Sequence, residues 1–332
     1  MRDVIDSPAA SAIPKAMRTS TEWQVTGFIV LSASLVVVGL FWPTVGSMVD
    51  AWGSSRTFAH GFLVLPAGGY LLWCYRDRVM PLIPAPSAWG VGAIIMAGMG
   101  WFIGYQMNLL VVQQAAVVAS LIMLVWALLG TEIFLVLLWP LGFLVFMLPV
   151  GTSIEPWLQD FTAWFILMAL KLTGIPFLYE DYRITIPSGT WDVAPDCGGL
   201  RYLLPGLALG YAFATLIYRE PARRLIFLIV CATILMIANG VRAYGVIVAD
   251  HFGIAEGADH RLFSYTIYSL TIPLLFWLGL KWTDKKTVAS SRDHRVDFQP
   301  SYDVGKIVLT AITAVALLAV APFSAWLTAH TP

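Results

Sequence analysis

Long apolar runs separated by short polar segments dominate this chain. They cover residues 24–46, 60–75, 88–105, 107–129, 132–150, 198–218, 223–250, 262–281 and 304–328. A transmembrane helix needs about 20 mostly apolar residues, and all of these runs except the shorter 60–75 approach that length. The pattern predicts an all-α polytopic membrane protein with about eight to nine transmembrane helices.

Two segments depart from this pattern between the fifth and sixth long runs. Residues 154–173 mix aromatic with charged residues, which predicts an amphipathic helix in the membrane interface, with a re-entrant or tilted helix as the alternative. Residues 179–194 alternate around Ile184 and Ile186 and contain a turn signal at Pro187-Ser188-Gly189. They predict a small extracytoplasmic hairpin.

The composition agrees with a chain that lies mostly in lipid. Hydrophobic residues make up 58% and charged residues 12%, a balance outside that of soluble globular domains, and 332 residues leave no room for a large soluble domain. Twenty basic and twenty acidic residues give a formal net charge of zero, without a basic block between aromatic residues. Nucleic acid is therefore excluded as an expected partner.

Basic residues between the runs predict the orientation of the chain. Three loops, after residues 75, 218 and 280, carry Lys and Arg and are expected in the cytoplasm. Because no signal-peptide cleavage site is evident, the first span is interpreted as a retained anchor. The predicted divisions are a cytoplasmic tail at 1–22, a transmembrane domain at 23–282, a cytoplasmic linker at 283–303 and a C-terminal transmembrane helix at 304–332.

On this topology Cys197, Arg242 and His260 all fall at the outer leaflet. Cys197 begins a span next to Asp196 and is followed one helical turn later by Arg201. A helix N-terminus and nearby cations stabilise a thiolate. The other two cysteines, 74 and 231, lie at different membrane depths, so Cys197 is expected to be a free thiol and the other two to be small buried hydrophobes.

Arg242 lies about two turns inside its span. An arginine at the centre of a membrane helix costs about 2.5–3.5 kcal/mol, so it needs an internal partner or a function. Asn239, three residues earlier on the same face, is a candidate partner. A purely structural ion pair or carbonyl clamp remains an equal alternative for this arginine alone.

Histidines offer several candidates for proton transfer. His260 lies in a short external loop beside acidic residues, although a lone loop histidine is usually only solvated. His60 and His251 also lie at the outer face, which weakens an assignment from position alone. No paired spacing of cysteines or histidines indicates a metal site, and neither a metal nor another cofactor is expected.

The polar segments resemble the exosortase family, bacterial membrane transpeptidases related to archaeosortases. The matching runs are Val193-Ala-Pro-Asp-Cys-Gly-Gly-Leu-Arg-Tyr202, Ala238-Asn-Gly-Val-Arg-Ala-Tyr-Gly245, Gly257-Ala-Asp-His260 and His60-Gly-Phe-Leu-Val64. The family usually has Ser where this chain has Gly198, and an aromatic Gly-Trp pattern where it has Ser264-Tyr265. Neither departure removes a group implied in catalysis.

The resemblance implies a thiol peptidase that sorts secreted proteins at the outer face of a bacterial inner membrane, in envelopes that produce exopolysaccharide. Its substrates would carry a C-terminal tail with a Pro-Glu-Pro motif, a transmembrane helix packed in the bilayer and a basic cluster. A periplasmic domain is a further partner that some relatives have. Cys197, Arg242 and His260 would be catalytic, with Arg201, Asn239, Asp196 and His60 binding substrate or supporting the site.

A second function remains open at this point. A non-catalytic membrane component of exopolysaccharide assembly or export would also need Arg242 and histidines, which would then line a pathway for a polar solute. Such a protein would tolerate the loss of the Cys197 thiol, whereas a thiol enzyme would not.

Overall fold

A computed structural model describes residues 15–253, 260–283 and 302–330, with the side chains of residues 15–20, 196, 260–264 and 329–330 left out. Helices dominate these residues. They are α1 Lys15–Leu40, α2 Trp42–Ser54, α3 Gly61–Cys74, α4 Arg76–Val79, α5 Ala88–Gln106, α6 Leu110–Leu129, α7 Thr131–Gly142, α8 Glu155–Thr173, α9 Leu200–Ile217, α10 Pro221–His251, α11 His260–Lys281 and α12 Val304–His330.

The predicted all-α polytopic membrane fold is confirmed. Within the described residues, six helices are long and apolar enough to cross a membrane, or seven if a broken helix pair counts as one span. The count of eight to nine spans is not confirmed. One reason is the short apolar run at 60–75, which forms the 14-residue helix α3, too short to pass as a span. Another is the run at 132–150, which counts as a span only together with the bent segment that follows it.

The chain forms two compact units. The first contains the described residues of 15–48, 68–148 and 302–330, and the second those of 49–67, 149–253 and 260–283. The predicted division into a tail, a transmembrane domain, a linker and a last helix stays a prediction. Most of the tail and of the linker at 283–303 lies outside the described residues.

In the first unit, α12 packs against α1, α5 and α6 around an apolar core. Val37, Ile94, Leu124 and Leu318 are fully buried there. Polar groups inside this unit are paired, as burial requires: the Trp101 indole donates to the Thr44 hydroxyl at 3.0 Å. The last helix is thus an integral part of this core.

Close backbone contact between α5 and α6 depends on Gly90. A Cβ atom at this position would lie 2.4 Å from the backbone nitrogen of Ala127. Small residues permit such approaches between membrane helices, where packing replaces the hydrophobic effect as the driving force.

The second unit consists of α8 to α11 and a small sheet. Its strands are β1 Leu178–Glu180, β2 Arg183–Ile186 and β3 Gly189–Asp192, paired antiparallel in the order β1-β2-β3. Ile184 and Ile186 face a core that includes Ile166 and Leu170 of α8. The amphipathic segment at 154–173 is a helix, and its position relative to the bilayer stays a prediction.

The predicted hairpin is real but incomplete. Ile184 and Ile186 are buried on one face of β2, as the alternation indicated, yet the sheet has a third strand. The turn between β1 and β2 uses Asp181 and Tyr182 at φ +47° and +63°. Tight hairpin turns with positive φ usually contain glycine, and a tyrosine rarely adopts such a conformation. The sequence Asp181-Tyr182 therefore did not indicate a turn here.

Gly90→Ala is expected to lower the stability of the first unit by roughly 1–3 kcal/mol, since the added methyl group meets helix backbone that has no flexible end to move. Gly92→Ala is the matched control, because a Cβ there has no atom within 4 Å. Thermal unfolding of the purified protein in detergent measures both. Equal midpoints for the two variants would contradict the close packing.

Candidate active site

The Cys197 thiol lies in a tight turn between β3 and α9. Residues Pro195–Gly198 form one 3₁₀ turn, in which the Cys197 amide donates to the Ala194 carbonyl at 2.8 Å. Gly199 then adopts φ +87° and forms the N-terminal cap of α9. Proline at the first position and glycine at a left-handed position fit these backbone angles, so the sequence itself defines the turn. The thiol is thereby held beside the N-terminus of an 18-residue helix.

A buried amide fixes this turn. The Asn239 side chain in α10 is 3% exposed, and its nitrogen donates to the Cys197 carbonyl at 2.8 Å and to the Thr162 hydroxyl of α8 at 3.1 Å. The Tyr268 hydroxyl of α11 donates to the Asn239 oxygen at 3.4 Å. Gly199 passes so close that a Cβ there would lie 2.4 Å from the Asn239 Cγ. Three helices therefore set the position of the cysteine.

Cys197 and Arg242 line one small pocket, here called the cysteine pocket. It has a volume of about 60 Å³, and Arg242 is 6% exposed. The rest of its wall is mostly apolar: Ile166, Trp191, Asp192, Val193, Ala243, Val246 and Ile247. Electrostatic interactions are stronger in such surroundings than in water, so the guanidinium can stabilise negative charge that develops near the thiol.

Two aromatic rings support Arg242. Its guanidinium carbon lies 5.7 Å from the centre of the Tyr202 ring, and the Arg201 guanidinium lies 5.1 Å from the same ring. Tyr202 in turn stacks on Tyr268 with ring centres 4.3 Å apart. Cation–π contacts of this kind contribute about 0.5–2 kcal/mol each, more when desolvated. They reduce the cost of keeping a guanidinium out of water.

A second and larger cavity, here called the polar pocket, borders the same turn. It has a volume of about 420 Å³. Its wall includes Pro195, Leu200 and Arg201 from the turn and α9, Glu155 at the start of α8, and the segment 54–57 with Arg56. Charged and hydroxyl groups predominate here, in contrast to the cysteine pocket.

Hydrogen bonds attach the sheet to α8. The Gln159 amide donates to the Val193 carbonyl at 2.6 Å, and the Tyr182 hydroxyl donates to the Asp160 carboxylate. The bond to Asp160 raises the pKa of Tyr182 above its ordinary value, because it favours the protonated phenol. The strand that leads into the cysteine turn is therefore anchored on a helix.

The other histidines have local partners. His251 Nδ1 lies 2.8 Å from the Ser188 hydroxyl in the turn between β2 and β3. His60 Nδ1 lies 3.2 Å from the carbonyl of Thr57, a residue of the polar pocket. His60 thus contacts the backbone of a residue in the wall of that pocket.

Apart from His60, the predicted site residues fall into two groups. The structure brings Cys197, Arg242, Asn239 and Arg201 together in the second unit. His260 is the first residue of α11, and the side chains of His260 and Asp196 lie outside the described residues. The roles given to all of these residues stay predictions.

Asn239 proves to be bonded differently from the expectation. The sequence suggested it as a partner of Arg242, yet its amide nitrogen donates to Cys197 and Thr162. The reason lies in the turn, which brings the Cys197 carbonyl directly onto the Asn239 amide. A spacing of three residues within one helix gives no information about a loop 42 residues away.

Four further residues were not found from the sequence. Tyr202 and Tyr268 flank the arginines, and Arg56 and Glu155 face the polar pocket. Tyr202 follows Arg201 directly, which was the only signal for it. The others come from segments that are distant in the sequence, with no signal that connects them to Cys197.

All three cysteines are free thiols, as expected. Cys231 is buried in the apolar core of α9, α10 and α11, and Cys74 is partly buried. The interpretation of Cys231 as a small buried hydrophobe is therefore confirmed.

Fold and site together define a multi-span membrane protein with a thiol and a buried arginine in one pocket. The family model for transmembrane exosortases matches residues 52–277, about two thirds of the chain. The protein belongs to the exosortase family. The searches of curated proteins and of solved structures gave no match.

Gly199→Ala should loosen the cysteine turn, because the added methyl group displaces the Asn239 amide and strains a residue at positive φ. Gly174→Ala is the control, with φ +72° and no atom within 4 Å of its Cβ, so it carries the backbone strain alone. In a Cys74→Ser, Cys231→Ala background, alkylation of Cys197 is expected to be faster in Gly199→Ala than in Gly174→Ala. Equal rates would show that Asn239 does not hold the turn.

Proposed function

We propose that this protein is a membrane cysteine transpeptidase or peptidase that cleaves secreted proteins bearing a C-terminal Pro-Glu-Pro tail and transmembrane helix. Membership of the exosortase family supports the class, since that family is generally one of peptidases and transpeptidases. The observation that carries the proposal is the cysteine pocket, where Cys197 and Arg242, 45 positions apart in the sequence, meet in apolar surroundings.

In the first step, the Cys197 thiolate attacks the carbonyl carbon of the scissile peptide bond. The carbonyl π electrons move to oxygen, which becomes an oxyanion. When the tetrahedral intermediate collapses, the C–N bond breaks and the leaving amine takes a proton. The products of this step are a thioester on Cys197 and the released tail with a new N-terminus.

In the second step, an amine or a water molecule attacks the thioester carbonyl. The C–S bond breaks, Cys197 leaves as thiolate, and the attacking nucleophile loses a proton. An amine gives a transferred, sorted protein, and water gives a shortened one. Both outcomes use the same thiol and the same oxyanion site.

Arg242 is assigned to the oxyanion. Its guanidinium is buried, fixed against Tyr202 and located in the wall that contains Cys197. A preorganised cation in a poorly hydrated site stabilises developing charge without reorganisation. His260 is assigned to proton transfer to the leaving amine on the family resemblance alone.

We place this reaction at the outer face of the cytoplasmic membrane. The basic residues of the loops after α3, α9 and α11 support a cytoplasmic location for those loops. The cysteine turn precedes α9, at the end opposite to the loop that follows α9. In an inner membrane, that end faces the periplasm.

Cys197→Ala and Cys197→Ser are each expected to abolish processing of a tailed substrate, since neither supplies a thiolate. Cys74→Ala, which removes a cysteine of the other unit, should process normally. The measurement is the size of an epitope-tagged substrate in membranes. Normal processing in Cys197→Ala would exclude the thiol mechanism and favour a non-catalytic export component.

Arg242→Gln is expected to reduce the rate of processing about 10²–10³-fold, the usual effect of removing one oxyanion donor. Arg242→Lys keeps the charge but loses the planar guanidinium, so its rate of processing should lie between those of Arg242→Gln and the unaltered protein. Arg223→Gln, a partly exposed arginine paired with Glu220, serves as the control. A loss in Arg242→Gln that accompanies normal processing in Cys197→Ala would indicate a solute pathway instead.

A further inference from the structure

The polar pocket has the size of a ligand site and adjoins the reactive turn. Its volume of about 420 Å³ falls within the range of about 300–1,000 Å³ usual for ligand pockets. Pro195, Leu200 and Arg201 form part of its wall, and Cys197 lies between them in the chain. A group bound there is therefore close to the bond that the thiol attacks.

The electrostatics of this pocket favour an anion. It contains two guanidinium groups, Arg56 and Arg201, against one carboxylate, Glu155. Among the described residues, no carboxylate lies within 4 Å of either guanidinium. Glu155 and Arg201 also belong to the first turns of α8 and α9, and helix N-termini carry partial positive charge.

We propose that the polar pocket binds the carboxylate of an acidic side chain of the substrate peptide, within a few residues of the scissile bond. This inference rests on the proposed function, in that the substrate is a peptide attacked by Cys197. Arg56 and Arg201 supply charged donors, and the hydroxyl groups of Ser55 and Thr57 supply neutral donors. The pocket selects the substrate, and the cysteine pocket performs the chemistry.

The charge balance favours a carboxylate over a phosphate. Among the described residues of its wall, two arginines and one glutamate leave a single positive charge, which matches a monoanion. Glu155 repels a phosphate dianion more strongly than it repels a carboxylate. The planar guanidinium also fits the two oxygens of a carboxylate, with two parallel hydrogen bonds.

Binding is measured on the full-length Cys197→Ala protein in lipid nanodiscs, so that no chemistry takes place. Two synthetic peptides from the tail junction of a substrate differ only in one residue, Glu in the first and Gln in the second. We expect the Glu peptide to bind about tenfold more tightly, as befits a hydrogen bond to a charged group. Arg56→Gln should remove this difference by weakening the Glu peptide alone.

Two control variants test the role of charge. Arg76→Gln removes an exposed arginine from the other unit and should preserve the tenfold preference. Glu155→Gln removes the repelling carboxylate and should strengthen the binding of the Glu peptide. The Gln peptide should bind equally to all of these variants.

Equal affinities for the two peptides in the Cys197→Ala protein, or a preference that persists in Arg56→Gln, would overturn the inference. Binding of inorganic phosphate is measured as a second arm of the experiment. If phosphate binds saturably, Arg56→Gln abolishes this binding and the two peptides bind equally, the ligand is a phosphate and the carboxylate proposal is wrong. Failure of the proposed function would instead appear as normal processing in Cys197→Ala, independently of these affinities.

Discussion

The buried amide of Asn239 donates one hydrogen bond to the Cys197 carbonyl and another to the Thr162 hydroxyl. Through these bonds it joins α10, α8 and the turn before α9, and Gly199 is left only enough room for a hydrogen atom beside it. A buried amide that loses its hydrogen-bond partners costs about 1–3 kcal/mol. Moving the turn away from Asn239 would therefore destabilise the packing of these helices as well. The position of the cysteine thus depends on the packing of the helices around it.

Aromatic side chains on the neighbouring helices stabilise the buried guanidinium group of Arg242. Tyr202 on α9 lies between the two guanidinium groups, and Tyr268 on α11 stacks behind it while donating to Asn239. Aromatic faces attract a cation without bringing a negative charge into the pocket. Arg242 thus gains part of its stabilisation from a ring that carries no charge of its own.

Much of the fold could be predicted because the apolar runs and the helices coincide closely, as for α5, α6 and α10. The predicted site also came from local signals: a cysteine among glycines, and an arginine in an apolar span. Asn239, in contrast, could not be matched with its true partner, since the fold of the turn decides it. Arg56 lies in a segment without a distinguishing pattern and Glu155 in the amphipathic segment 154–173, and only tertiary structure brings them to one cavity.

The mostly apolar wall of the cysteine pocket has a consequence for the fate of an acyl group. Ile166, Val193 and Ile247 present side chains that cannot hydrogen-bond a water molecule next to Cys197. A water molecule held there would find most of its partners on the charged residues Arg242 and Asp192, which occupy a small part of the wall. Under the proposed function, a thioester on this cysteine would meet few oriented water molecules, so the lining of the pocket would influence the partition between aminolysis and hydrolysis.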